Sequence, residues 1–410
     1  ATVQDSKNEL LEASAQKNIV SNQSSVRRKN QRALINIIRD VGNISRIELA
    51  KQTGAIPASI SIMVNELLAE GLISETGSGE SRGGRRPVLL EICPTAKYGL
   101  ALDLRIGYIE CVLFNFRGEF IFRERVEGHG AFLIDNIIRA VDYVMGLQIV
   151  PADKIFGIGI VVSGIIDEQN RKILLSSEFK VADFDIHEAL EARYRIKVVV
   201  DRSTNAALRH IIEKRPLPRE RDVILITFSK GIGMAAYLNG ALYQPEHGSG
   251  GEIGHTVVER NGKKCHCGNY GCLATVASPA AAVARAETFL CEGKMTSLRE
   301  VLEARGQVRF SDIVEACKNG DMFATQIFIE LGDHIGLAVA NMLNLFNPSA
   351  LILAGLFDEL EPFRTATIRT IQQRTVLPFF ERLRIESCPY NSDVRLSGIT
   401  AYMLQRYAVV

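Results

Sequence analysis

The 410-residue sequence has no apolar run long enough to span a bilayer and no charged-then-apolar leader at its start. Neither membrane insertion nor export is therefore expected. Charge of one sign is not in excess: the net charge is +1, which announces no nucleic-acid partner, so basic character must be sought locally. Cysteine is sparse. Of eight cysteines, three form one cluster, and Cys93, Cys111, Cys291, Cys317 and Cys388 are scattered. An odd remainder without regular spacing argues against a disulfide framework and for a reducing, cytoplasmic compartment. Apolar content of 47% and charged content of 23% suit a globular chain with core enough for two or three domains.

What is present is concentrated in one stretch. Gly251-Glu252-Ile253-Gly254-His255 is followed by Cys265-His266-Cys267-Gly268-Asn269-Tyr270-Gly271-Cys272. Zinc takes four N or S ligands in a tetrahedron, and Cys3His is one of its standard sets. The Cys-x-Cys pair closes a tight turn, and Gly268 and Gly271 let the backbone bring Cys272 back to the same point. His255, Cys265, Cys267 and Cys272 are the expected ligands of one structural zinc ion per chain, with no position left open for catalysis. His266 is the rival nitrogen, but it lies between two ligands, so His255 is preferred.

This segment resembles the signature of the ROK family, which holds sugar kinases and sugar-responsive repressors. The family pattern is Gly-Glu-x-Gly-His, then Cys-x-Cys-Gly-x-x-Gly-Cys-x-Glu. Every element matches except the last, where Ala274 stands in place of glutamate. The resemblance covers roughly residues 95 to 410.

The first hundred residues read differently. Residues 1 to 25 are polar, with some helical character around Glu9 to Lys17, and are expected to form an arm. From residue 26 to 60 there are seven Lys/Arg against two Asp/Glu. Ser45 and Glu48 have the spacing of a capping box that starts a short helix, Gly54 breaks it, and Pro57 suits the first turn of the next. In that next helix Ile60, Val64 and Leu67 mark the buried side, leaving Ala58, Ser59, Ser61, Ile62 and Asn65 outward. A helix pair of this kind is a helix-turn-helix, whose second helix enters the major groove. The segment up to Ile92 then reads as a hairpin wing tipped by Arg82, Arg85 and Arg86. Those arginines and Arg46 complete the expected DNA-contacting set. The segment is similar to the winged helix of the Mlc, NagC and XylR group of ROK repressors. Such relatives carry basic residues on the outer face of the recognition helix, where this chain has Ile62 and Asn65.

From Tyr98 onward strands dominate, in an order that resembles the two-lobed actin-like fold. A strand–strand–strand–helix unit occurs there twice, the second copy beginning near Val223. Residues 278 to 346 read helical, as Ala280 to Phe289, Phe310 to Lys318, Met322 to Leu331 and His334 to Phe346. Kinases of that fold need glycine backbones against the ATP phosphates and a carboxylate to take the proton from the sugar hydroxyl. The family's first phosphate loop is Asp-x-Gly-Gly-Thr. Here it is Asp103-Leu104-Arg105-Ile106-Gly107, with side chains where both glycines belong. The second loop, Lys230 to Ala235, keeps Gly231 and Gly233 only, and the third keeps Gly355. Aligned on Asn205, the family's Asn-Asp-Ala-Asn becomes Arg202-Ser203-Thr204-Asn205, so Ser203 replaces the catalytic base and Asp201 is the only nearby substitute. The resemblance therefore implies no catalytic residues. It does imply effector contacts at Asn205, Glu252 and His255, the last shared between metal and ligand.

The expected fold class is α/β: an N-terminal winged helix-turn-helix followed by a two-lobed actin-like (ROK) body with a structural zinc site. The expected divisions are 1–96 for the arm and winged helix, 97–206 for the first lobe, completed by the closing helix 396–410, and 207–395 for the second lobe. The expected function is a repressor of carbohydrate genes that acts as a homodimer or tetramer on an inverted-repeat duplex operator. Its control is expected from a sugar, a sugar phosphate or a phosphotransferase-system protein. The alternative is a ROK-type sugar kinase with an appended DNA-binding arm.

Overall fold

The computed structural model describes residues 23–78, 86–128, 133–167, 172–176, 178–214, 222–245 and 250–407. The expected arm up to residue 22, and Arg82 and Arg85, lie outside the described residues.

Helix α1 (Gln23–Val41) buries Leu34, Ile35 and Ile38, a spacing that puts all three on one face. Strand β1 (Ile44–Ser45) leads into helix α2 (Arg46–Thr53), which begins with the expected reciprocal cap. The Glu48 amide donates to the Ser45 hydroxyl, and the Ser45 amide donates to the Glu48 carboxylate at 2.9 Å. Gly54 ends this helix at φ 66°, and Pro57 opens helix α3 (Pro57–Ala69), whose buried residues are Ile60, Val64 and Leu67. Strands β2 (Ile73–Ser78) and β3 (Val88–Ile92) pair antiparallel, and β3 also pairs with β1.

The body is built on two five-stranded sheets of one topology. The first contains β4 (Tyr98–Arg105), β5 (Tyr108–Asn115), β6 (Phe120–Glu127) and β7 (Ile155–Val162), with helix α4 (Leu133–Gly146) between the last two. After β7 comes a small sheet of β8 (Ile165–Asp167), β9 (Lys172–Ser176) and β10 (Val181–Phe184), then helix α5 (Ile186–Tyr194). Strand β11 (Lys197–Arg202) completes the first large sheet in the order β11-β7-β4-β5-β6, and helix α6 (Ser203–Lys214) follows. The second contains β12 (Val223–Phe228), β13 (Ile232–Leu238), β14 (Ala241–Leu242), β15 (Ala350–Gly355) and β16 (Arg384–Cys388), in the order β14-β13-β12-β15-β16. In each sheet the first strand pairs antiparallel to the second on one side and parallel to a later strand on the other. That is the expected repeat.

Between β14 and β15, after a single helical turn at Ala274–Ala277, lie four longer helices: α7 (Pro279–Cys291), α8 (Leu298–Arg305), α9 (Phe310–Lys318) and α10 (Met322–Phe346). The sequence reading breaks the last of these near Gly332, but the helix runs through. Its glycines serve packing instead: a Cβ at Gly332 would meet the Phe363 carbonyl oxygen at 2.7 Å, and one at Gly336 the Thr367 oxygen at 2.7 Å. They let α10 lie close against helix α11 (Glu361–Arg374). The reading also missed α8 and the β8–β10 sheet. Among the described residues no helix is long and apolar enough to cross a membrane.

The closing helix α12 (Ser392–Tyr407) joins the parts. Side chains alternate across a strand. Leu100, Leu102 and Leu104 of β4 therefore pack with Ile137 and Val141 of α4 on one face of the first sheet. Ala101, with Phe114 of β5, packs with Leu396, Ile399 and Met403 of α12 on the other. That second cluster is continuous with Leu34, Ile35, Ile60, Val64 and Leu90, so the N-terminal elements and the first lobe share one core. Gly398 lets α12 touch α6, because a Cβ there would overlap the Ala206 carbonyl oxygen.

One buried ion pair fixes this helix. Arg395 Nη2 lies 2.8 Å from Asp103 Oδ2, with side-chain exposures of 3% and 2%. The Ser392 hydroxyl donates to the same oxygen at 2.7 Å. Removing one partner of a buried pair leaves a charge without compensation, which costs roughly 3–5 kcal/mol. Arg395→Met should therefore lower unfolding free energy by about 3 kcal/mol, the low end of that range because Arg105 still faces Asp103. Denaturant unfolding of the purified variant checks this, and a loss below about 1 kcal/mol would mean that the pair does not hold the helix.

Candidate metal centre and interlobe cleft

The cysteine segment folds back on itself through short bridges between Val257 and Cys272 and between Lys264 and Tyr270. The Gly268 amide donates to the Cys265 carbonyl at 3.0 Å, closing the turn that carries Cys267. At Gly271, φ is +71° and a Cβ would collide with the Glu259 carbonyl oxygen, so only glycine brings Cys272 home. His255 ends a short 3-10 turn, Ile253–His255, before this loop.

The ligand atoms of His255, Cys265, Cys267 and Cys272 all lie within 4.8 Å of one another. Cys267 Sγ is 3.7 Å from Cys272 Sγ, and Cys265 Sγ is 3.6 Å from His255 Nδ1. Zinc bonds of about 2.3 Å to sulfur and about 2.0–2.1 Å to nitrogen imply tetrahedral edges of ~3.8 Å (S–S) and ~3.6 Å (S–N). The donor set therefore fits such an ion. His266 also approaches Cys265, at 3.8 Å, but its ring is exposed and stands edge-on to His255. Burial pushes the Cys272 thiol up to about 12, and burial also lowers His255 below the usual imidazole range. A hydrogen bond from the Asn269 backbone holds Cys267 below the usual thiol range. A cation exchanges for the thiol protons and removes this conflict.

Glu252 and Asn205 meet in one cleft of about 190 Å³ between the lobes, with Tyr243, Met342 and Phe346. His255 places its Nδ1 in the sulfur cluster instead. Glu252 is already engaged: Arg202 Nη2 lies 2.8 Å from its Oε1, and Arg202 also bonds the Gly250 carbonyl. Sequence reasoning missed Arg202, although it stands beside Ser203 at the position where the family carries asparagine.

Ser203 begins α6, and it and Thr227 of the second sheet both lie at the buried Tyr390 phenol. Burial pushes the Tyr390 phenol up to about 12. Arg105 Nε lies 3.1 Å from Asp103 Oδ2. Burial raises the Asp103 carboxyl, while Arg105 and Ser392 oppose the rise. The Asp103 carboxylate is thus held between two of the chain's own arginines, Arg105 and Arg395. Asp201 is buried and faces away, 2.9 Å from Arg209 Nε, and Arg209 stacks on Tyr402 at 3.9 Å. Its carboxylate is committed to that partner.

On the N-terminal elements, Ala58, Ser59, Ile62 and Asn65 of α3 are exposed, Ile62 at 57%. Ser61 is half-buried, its hydroxyl donating to the Pro57 carbonyl at 3.0 Å. Arg46 lies 2.9 Å from Glu75 and 3.3 Å from the Asn65 side-chain oxygen. Arg86 is exposed at the foot of the hairpin.

Two five-stranded sheets of one topology, with a Cys3His loop after the second begins, define an actin-like body of the ROK type. Residues 100–400 match the ROK family, and the chain belongs to that family. It is 28% identical over 362 residues to a xylose repressor of Bacillus spizizenii, covering 88% of this chain and 90% of that one. It is 29% identical over 399 residues to the DNA-binding transcriptional dual regulator NagC of Escherichia coli K12, covering 95% of each. Among solved structures, a ROK family transcriptional regulator homologous to the E. coli MLC protein matches with TM-score 0.81 and 24% identity, over 94% of this chain and 97% of that one. A ROK glucokinase from Streptomyces griseus, in complex with glucose and AMPPNP, matches with TM-score 0.62 and 22% identity, over 74% of this chain and 98% of that one. The kinase thus shares the fold of about three quarters of this chain.

Metal analysis of the purified chain should give about one zinc ion per chain, and Cys272→Ala should abolish it along with part of the thermal stability. Unaltered protein that stays metal-free after zinc loading, with all three thiols reactive, would contradict the fit.

Proposed function

We propose that this chain is a sugar-responsive transcriptional repressor. One observation carries the reading. In a ROK body Asp103 is held by Arg105 and Arg395 beside the buried Tyr390 phenol, and that body shares a continuous core with an N-terminal helix pair whose outer face is exposed. Relatives named as a xylose repressor and as the NagC regulator match over nearly the whole chain and support it.

In this reading residues 1–96 form a winged helix-turn-helix. Helix α3 enters the major groove and the β2–β3 hairpin is the wing that carries Arg82, Arg85 and Arg86. Ile62 suits a thymine methyl group and Asn65 an adenine edge. Arg46 exchanges Glu75 for a phosphate. Residues 97–206 with the closing helix form the first lobe, and 207–395 the second. A structural zinc ion pins the loop that follows Glu252. The effector cleft lies at Asn205 and Glu252, and a ligand there displaces or uses Arg202. A homodimer reads the two halves of an inverted repeat, because one recognition helix spans a half-site only.

Selection of duplexes from a random pool by the full-length protein tests this directly. An inverted repeat should be enriched, with half-sites about one helical turn apart. Asn65→Ala should relax preference at one base pair, at a cost of roughly 1–3 kcal/mol. Arg86→Ala should weaken binding to all duplexes alike and reduce the slope of log affinity against log salt by about one. No enrichment, together with no salt-dependent affinity for any duplex, would reject the proposal.

A further inference from the structure

A second and larger cleft, of about 610 Å³, lies away from the Asn205–Glu252 cleft, where α1, α6, α12 and the second sheet meet. That is a typical volume for a small-molecule site. Its wall brings together the end of α1 (Arg39, Asp40), the end of α6 (His210, Glu213, Lys214) and Thr400 of α12. Tyr237 and Leu242 of the second sheet close it.

Three of these lining residues hold a buried polar atom without a partner: Arg39 Nη2, His210 Nδ1 and Thr400 Oγ1. Thr400 is only 3% exposed. The rest of Arg39 is well satisfied, Nε donating to the Phe116 carbonyl and Nη1 to Asn36. Burial pushes the Arg39 guanidinium down to about 10, although Asp40 and Glu213 oppose this from a distance. Buried polar groups are nearly always paired, so three unpaired atoms just beneath one wall mark a place where a small side-chain shift would let an occupant of the cleft complete them.

The chemistry of the wall is mixed in a particular way. Arg39 and Lys214 offer positive charge for one acidic group. Thr400, His210, Asp40 and Glu213 offer acceptors and donors suited to several hydroxyls. We propose that this cleft is a second effector site, for a polyhydroxylated small molecule carrying one acidic group, a phosphate or a carboxylate. An occupant touches the N-terminal helix, the closing helix and the second lobe at once. It therefore sets how the N-terminal unit sits on the body. The site is independent of the sugar cleft and of any DNA partner.

Calorimetric titration of the full chain with glucose 6-phosphate, gluconate and glucose tests the proposal and separates phosphate from carboxylate recognition. At least one acid should bind at least about tenfold more tightly than glucose, and Arg39→Gln should weaken that binding about tenfold or more. Hydrogen exchange of the unaltered chain should slow at residues 36–41, 208–214 and 397–405 when the acid is added. That map decides the matter even if Arg39→Gln unfolds the end of α1. No binding by either acid at millimolar concentration would leave ordered water as the occupant and overturn the proposal. So would protection centred on residues 250–256, or an affinity unmoved in a folded Arg39→Gln protein.

Discussion

The buried pair of Asp103 and Arg395 is the constraint on which the rest depends. It joins positions 292 residues apart and anchors the first turn of the closing helix beneath the first sheet. Beyond that anchor the helix presents Ile399, Met403 and Leu404 to a core shared with Leu34, Ile60 and Leu90. A charge pair placed so deep contributes little net stability over an apolar equivalent, but breaking it is costly. It therefore acts as a register pin. The N-terminal elements are seated on a helix whose own position is set by that pair.

The same pin accounts for the chemistry of the cleft. In the family's kinases the first phosphate loop needs bare backbone, and here Arg105 joins Arg395 on Asp103. Ser203 cannot accept a proton, and it lies at the buried Tyr390 phenol together with Thr227. Asp201 is held by Arg209. Arg202 crosses to Glu252. The bonds of Asp201 and Arg202 run to later segments of the chain, whereas Arg105 bonds a carboxylate on its own strand.

Much of this was legible in the sequence, where signals are local. The Ser45–Glu48 cap, the Pro57 start and the Ile60, Val64, Leu67 face are written within a few residues of one another, and so is the Cys3His cluster. The repeat of the two sheets showed as pattern. The sequence misled where a residue serves packing rather than local conformation: Gly332 reads as a break, yet it admits the neighbouring helix. The β8–β10 strands are short, with little alternation to mark them. Arg395 and Tyr390 were invisible as functional residues because their partners lie in distant segments. Arg202 could have been found, since a cation beside the lost base asks for an anion, and Glu252 was already on the page.

The central claim is that this body binds and signals without phosphoryl transfer. Its most direct test is release of ADP from magnesium ATP by the purified chain, assayed over glucose, xylose, N-acetylglucosamine and mannose. The account predicts no ADP above the rate without protein for any sugar. Sugar-dependent turnover that disappears in Asp201→Asn would contradict it.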